Sequence, residues 1–368
     1  MDPEDLRAAI PVCDRGVYFN TGASGPAPRH VVEAATEFLE HHEYVSPVEE
    51  GAYPAAFETF DETREVVADF LGADPLEIAL TDSTADGIAR VAAAIDWEPG
   101  DTVVRTDLEH SAGVIPWWNL REQGVEVAVL DTESGRLDLD ALTDAVSDPD
   151  TRLLCCNSIT WNYGTQLPIS TVVDIAHAHD TLVLVDAVQS PGQVPVDVGE
   201  WGADFVAAAG HKWLLGPWGA GFLYVDREVA DGLTPGVVGY RSVADTGADD
   251  LKLKPGAQRL EVGTTSPAPY RGLIAAIDTV ETLGYGTITD RVERLTDRLK
   301  EGLGDRLLSP REYESGLVTF AADDPEALVE RLADRDIHVR SLPYPDAVRA
   351  SVHVFNTAED VDALLDAL

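Results

Sequence analysis

Lysine is nearly missing from this chain. Of its 368 residues only Lys212, Lys252, Lys254 and Lys300 are lysines. Basic charge as a whole is scarce: 26 Lys and Arg stand against 66 Asp and Glu, a formal net charge of −40. A protein without a basic patch has nothing to release counterions from a phosphate backbone, which argues against nucleic-acid partners. An anionic membrane surface is disfavoured for the same reason. Long apolar runs are also missing. The longest, such as Thr181–Val185 and Phe205–Ala209, fall far short of the roughly 18–20 residues of a membrane helix. The first residues, MDPEDLRAAI, lack the basic start and apolar stretch of a signal peptide. A cytoplasmic protein is expected. There are three cysteines, Cys13, Cys155 and Cys156, with no CxxC spacing. That excludes a disulfide framework and gives no metal site. Cys155 and Cys156 read as small core residues of an apolar strand. No GxGxxG follows the first strand, so a dinucleotide-binding Rossmann protein is set aside.

What is present is a 45% hydrophobic chain with its acidic charge spread along its whole length. That apolar content is too high for a disordered acidic protein. Such a surface suits concentrated salt, where self-repulsion is screened, and points to an extreme halophile. The length implies two domains. Apolar runs at Ile78–Leu80, Thr102–Arg105, Glu126–Leu130, Leu153–Asn157, Leu182–Asp186, Phe205–Ala209 and Gly221–Val225 alternate with amphipathic stretches at Asp86–Ala94, Leu139–Ala145 and Val172–His179. This alternation predicts an α/β fold with a mostly parallel sheet, the last strand running antiparallel. After Leu251 the pattern changes. A long helix over Tyr270–Leu283, continuing through Ile288–Gly302, precedes short strands near Leu317–Ala321, His338–Arg340 and Ser351–Phe355 and a helix over Ala358–Leu368. The expected division is a large α/β domain over residues 17–250 and a small α+β domain over residues 251–368 with residues 1–16.

The chemistry starts at Lys212. It follows an apolar strand and lies in a glycine-rich apolar turn, AAAGHKWLLGPWG. Desolvation there favours the neutral, nucleophilic amine that a Schiff base requires. A lysine merely snorkelling from a loop is the plainer alternative. Asp186 ends the apolar run TLVLVD, and ligands of α/β sheets gather at such strand ends. A carboxylate there suits the pyridine nitrogen of pyridoxal phosphate (PLP), whose ring then accepts electrons from a carbanion. Its bland alternative is a turn cap. Ser83 and Thr84 lie between a strand and a helix, where hydroxyls and free N–H groups can hold a phosphate, or simply cap the helix. His211 offers a further donor.

These residues sit in segments that resemble the class V aminotransferase family, in the branch of cysteine desulfurases and isopenicillin N epimerase-like proteins. YFNTGASGPAP, LTDSTADGI, LEHSAGVIPW, SITWNYGTQLPI, VDAVQS, GHKWLLGPWG, RLEVGTTS and VRASVHVFNT occur in the family's order and span nearly the whole chain. The resemblance implies the PLP-dependent transferase fold type I, with the large domain binding PLP. It implies His110 stacked on the cofactor ring, and Asp186 and Gln189 as ring contacts. It also implies Ser83, Thr84 and His211 around the phosphate, and Lys212 as the Schiff-base lysine. Ala23 would lie near the substrate, Arg349 would clamp the substrate carboxylate, and Thr264 would reach the phosphate of a neighbouring subunit. A homodimer acting on an amino acid is the expected assembly. An Arg suits the carboxylate because its fork binds bidentately.

Three departures bear on the reaction. Ala209 stands where the family often has Ser. The stretch IHVRSLPYPDAVRAS has no cysteine, whereas cysteine desulfurases carry a catalytic one there. The Asn expected before Gly164–Thr165 is displaced, with Trp161 at its place and Asn157 and Asn162 nearby. Aminotransferase activity is therefore the first expectation. A desulfurase-like or C–S lyase elimination is the second and epimerisation the third. A catalytically silent PLP-binding regulator is the alternative from another class. Trp117, Trp118, Tyr44, Tyr240 and Arg241 are candidates for the pocket wall, and Arg340 for a second carboxylate.

Overall fold

The computed structural model describes all 368 residues. Its strands are β1 (Val17–Tyr18), β2 (Ile78–Thr81), β3 (Thr102–Thr106), β4 (Glu126–Leu130), β5 (Thr151–Asn157), β6 (Leu182–Asp186), β7 (Phe205–Ala209), β8 (Gly221–Val225), β9 (Leu317–Phe320), β10 (Ile337–His338), β11 (Arg340–Pro343) and β12 (Asp346–Ser351). Seven of them form one sheet in the order β2-β8-β7-β6-β5-β3-β4. Strand β8 runs antiparallel to β2 and β7, and the remaining pairs are parallel. The central strands are buried on both faces, which is why they read as unbroken Val, Ala and Leu rather than as an alternation. Their side chains feed two cores. Leu154, Val183, Val185 and Val206 face the helices Ile169–His177 and Ala268–Leu283, while Leu153, Cys155, Leu184 and Phe205 face the helices Thr84–Ala94 and Ile115–Leu120. The edge strand β4 is partly exposed.

The C-terminal region carries an antiparallel sheet in the order β11-β12-β9. Strand β1 pairs in parallel with β10 and ties the N-terminal segment to this region. Three expectations need correction here. The strand placed at Ser351–Phe355 ends at Ser351, so Arg349 lies inside β12 and not before a strand. The segment His338–Arg340 is divided between β10 and β11, with Val339 between them. The long helix is broken at Gly284, whose φ of 74° stops Ala268–Leu283 before Tyr285–Leu303 begins. Two N-terminal helices, Arg29–Tyr44 and Ala52–Leu71, pack against Ala268–Leu283. No helix is long and apolar enough to cross a membrane.

Candidate active site

The parallel strands β5 and β6 end side by side, with Asn157 paired to Asp186. Strand β7 ends next to them and turns through Gly210 and His211 to Lys212. A cavity of about 280 Å³ opens at these strand ends, where α/β folds place ligands. Its walls include Ala23, Ser83, Thr84, His110, Asp186, Gln189, His211, Lys212 and Arg349. Nine of the ten residues expected at the site thus meet in one place. The exception is Thr264, which is exposed on the surface and bonds Tyr240 through its hydroxyl at 2.8 Å.

The turn that carries Lys212 is held by close packing. Gly25 donates its N–H to the His211 carbonyl at 2.7 Å, and a Cβ at Gly25 would collide with the Lys212 carbonyl. His353 Nε2 meets the Trp213 carbonyl at 3.0 Å. Burial pushes the Lys212 amine down to about 8, and Asp186 opposes that shift. Burial raises the carboxyl of Asp186, and Lys212 opposes it. One Asp186 oxygen accepts the Val188 N–H at 3.0 Å. Gln189 Oε1 accepts from Trp213 Nε1 at 2.7 Å, and its Nε2 donates to the Gly22 carbonyl at 3.0 Å. That leaves the second Nε2–H for a ligand.

Ser83 caps the helix Thr84–Ala94, accepting the Asp86 N–H at 3.2 Å. Thr84 Oγ1 is buried and has no partner. A free hydroxyl at the start of an 11-residue helix is what a phosphate group calls for. His110 packs edge-on against Trp161 with ring centroids 5.5 Å apart. Its Nδ1 accepts the Ala112 N–H at 3.3 Å. Burial, then Lys212, lowers the His110 ring to about 4, so it faces the cavity uncharged at neutral pH. His211 is likewise held at about 4 by burial and Lys212, and it packs on Trp218 at 4.8 Å. Arg349 is fully buried, donates Nη1 to the Trp161 carbonyl at 2.5 Å, and leaves Nε and Nη2 without partners. These unpartnered atoms, together with the Lys212–Asp186 pair, fit PLP and an amino-acid carboxylate.

Sequence reasoning missed Trp218 and Asp82, which also line the cavity. Trp218 lies within GHKWLLGPWG, six residues after Lys212. Asn157 Nδ2 bonds the Leu108 carbonyl and Asn162 Nδ2 reaches the Tyr344 carbonyl, and neither lines the cavity. Trp161 does, with its Nε1 unpartnered. None of Trp117, Trp118, Tyr44, Tyr240 and Arg241 lines it. Trp117 is core and bonds the Gly113 carbonyl, Arg241 is buried against Glu261, and the other three are exposed.

The sequence profile of aminotransferase class-V matches residues 17–364. The chain belongs to the class V aminotransferase family. Among relatives in that family, a probable cysteine desulfurase of Methanothermobacter thermautotrophicus is 34% identical, covering all of this chain and 98% of that protein. A cysteine desulfurase of Haloferax volcanii is 30% identical over all of this chain and 96% of its own length. Of solved class V structures, a cysteine desulfurase from Thermococcus onnurineus superposes with a TM-score of 0.91 at 30% identity, covering 100% of this chain and 97% of that one. The cystine C–S lyase C-DES, solved with its product cysteine persulfide, gives 0.92 at 27% identity, covering 97% and 98%.

Proposed function

We propose that this PLP-dependent class V enzyme is a C–S lyase, cleaving a sulfur-bearing amino acid by β-elimination without a thiol of its own. The observation that carries this reading is the position of the cysteines. Cys155 and Cys156 are sealed inside β5, and burial raises both thiols far above the ordinary range. Cys13 lies near Arg7 and Asp360, its thiol pushed up to about 11 by burial. No cysteine lines the cavity. Where the resemblance places a desulfurase cysteine, β11 and β12 close a tight hairpin through Tyr344 and Pro345. Sequence put transamination first. The likeness to C-DES and the lack of a thiol in the cavity move elimination ahead of it.

Each residue has a definite task in this reading. Lys212 would hold PLP, and its amine, near 8, would take the proton from the substrate Cα once the amino acid has displaced it. PLP, when bound, supplies an electron sink conjugated to that carbon. Asp186 would hold the proton on the pyridine nitrogen from a buried position. Arg349 would take the α-carboxylate on its free Nε and Nη2. Neutral His110 would pack against the ring and keep water off one face. The Cα–H electrons form the Cα–Cβ double bond as the Cβ–S pair departs with sulfur. Hydrolysis then yields pyruvate and ammonium.

The chain is further proposed to divide near residue 250, with residues 1–16 joining the smaller part. The Arg7–Asp360 ion pair at 2.8 Å supports that grouping. A homodimer is proposed as well, because Thr264 is exposed in the single chain and lines no part of the cavity; sedimentation showing an active monomer would refute it.

The test is product analysis with the holoenzyme and L-cysteine or L-cystine. Pyruvate and ammonium in equal amounts are expected. Alanine as product would mean desulfuration, and conversion of the cofactor to pyridoxamine phosphate with release of a keto acid would mean transamination. Either result overturns the lyase reading.

A further inference from the structure

Glu109 is a buried carboxyl directly before His110, and it does not line the cavity. Its bonds go to neutral groups only. Oε1 accepts the Thr106 hydroxyl at 2.7 Å and the Asn157 N–H at 3.2 Å. Oε2 is buried without a partner, and a Cβ at Gly113 would come within 3.3 Å of it. A carboxyl buried without a cation is costly and needs a reason. Burial pushes this one up to about 8, the Thr106 hydroxyl opposes the shift, and Asp186 adds to it. At neutral pH it therefore carries its proton and puts no second anion beside Asp186.

The partners of Glu109 show what it holds. Thr106 ends β3 and Asn157 ends β5. Asn157 grips the intervening loop twice, with its N–H on Glu109 and with Nδ2 on the Leu108 carbonyl at 3.0 Å. Leu108 in turn donates its N–H to Thr106 Oγ1 at 3.2 Å. Asn157 is also the register partner of Asp186. The His110 side chain bonds only its own turn, at Ser111 and Ala112, so its place follows from the loop that Glu109 ties down.

We infer that Glu109 is a positioning residue: its carboxyl latches the loop bearing His110 onto the end of β5, and so sets the His110 ring in fixed relation to the Asp186 carboxyl. That role rests on the reading in which His110 packs against the cofactor ring. It does not depend on whether the reaction is elimination or transamination. The carboxylic acid suits the place because one oxygen accepts from two strand ends while the other carries a proton. Gln offers the same pairing of an acceptor with a donor. Ala offers neither.

The test titrates PLP into the full-length apoprotein without substrate. Affinity is read from the visible absorbance, and ring placement from the visible circular dichroism of the bound cofactor. His110→Ala should weaken PLP about 3- to 10-fold, the worth of one aromatic contact, and change the dichroic band. Glu109→Ala should do the same, and Glu109→Gln should match wild type. In the double variant of Glu109→Ala with His110→Ala the loss should equal that of His110→Ala alone, whereas independent effects would multiply. A purely structural role for Glu109 would weaken PLP with or without His110. Multiplying losses, a Gln variant as poor as Ala, or wild-type behaviour of Glu109→Ala while His110→Ala is impaired would overturn the inference alone. A silent His110→Ala would overturn the task given to His110 and the inference with it. If Glu109→Ala does not fold, Thr106→Val takes its place, removing the hydroxyl from Oε1 at constant shape. It should show a loss that vanishes in the His110→Ala background, and a loss that persists there would count against the latch.

Discussion

Asp186 and Lys212 leave adjacent strand ends and set each other's protonation. The carboxylate pulls the amine up against burial, and the ammonium pulls the carboxyl down against the same burial. Lys212→Ala should therefore bind no PLP covalently and lose at least about a thousandfold in turnover, the scale of removing a nucleophile with its base function. The visible absorbance band and the steady-state rate measure this. A variant with full turnover would remove the foundation of the proposed reaction.

The pair also fixes a pH dependence. Only the neutral amine attacks PLP, and burial holds Lys212 near 8 instead of 10.5. Uptake of PLP by the apoprotein should rise through about pH 8 and then level. In Asp186→Asn the anion that raises the amine is gone, so the midpoint should move to lower pH. The stability sign follows from the same shift. Between about 8 and 10.5 the unfolded chain binds more protons at this residue, so the apoprotein gains stability as pH rises through that window and loses it on the way down. Stopped-flow absorbance and denaturant titrations read the two effects.

Arg349→Ala should raise KM for amino acids about 10- to 100-fold, the worth of a lost charge-assisted bond, with a smaller effect on kcat. Arg349→Lys should recover only part, because a point charge replaces the fork. Equal KM values in the three proteins would place the carboxylate elsewhere.

Gly25→Ala should reduce stability by about 1–3 kcal/mol, the usual cost of overpacking, since its Cβ meets the Lys212 carbonyl. The same variant should slow PLP uptake by displacing the turn. Denaturation and uptake measured together would separate packing from chemistry.

The sheet was almost fully legible in the sequence, its central strands because they are buried on both faces and the edge strand β4 because Val127, Val129 and Leu130 keep it apolar. Glu126–Leu130, Leu182–Asp186, Phe205–Ala209 and Gly221–Val225 were read to the residue. The helices Arg29–Tyr44 and Ala52–Leu71 were not read, since their buried residues are few or polar, such as Thr59, Thr63 and Arg64. The end of β12 was misread because Val352, Val354 and Phe355 are apolar and buried beyond the end of the strand. Lys212, Asp186 and Thr84 were legible from strand ends and a helix start. Trp161 and Trp218 were not assigned, because an aromatic in a loop reads equally as wall or as core. The pairing of Arg340 with Arg349 depends on a hairpin register that no local pattern encodes.

The turn at Lys212 is gripped from both ends of the polypeptide: Gly25 holds its front, and His353 and Arg349 lie behind it. The last strand and its following turn are thus as much part of the pocket as the lysine itself. A chain still emerging during synthesis has the lysine but not the pocket. Capture of the cofactor consequently waits on residues as far along as His353, and a fragment ending before them would expose a reactive amine with nothing to guide it.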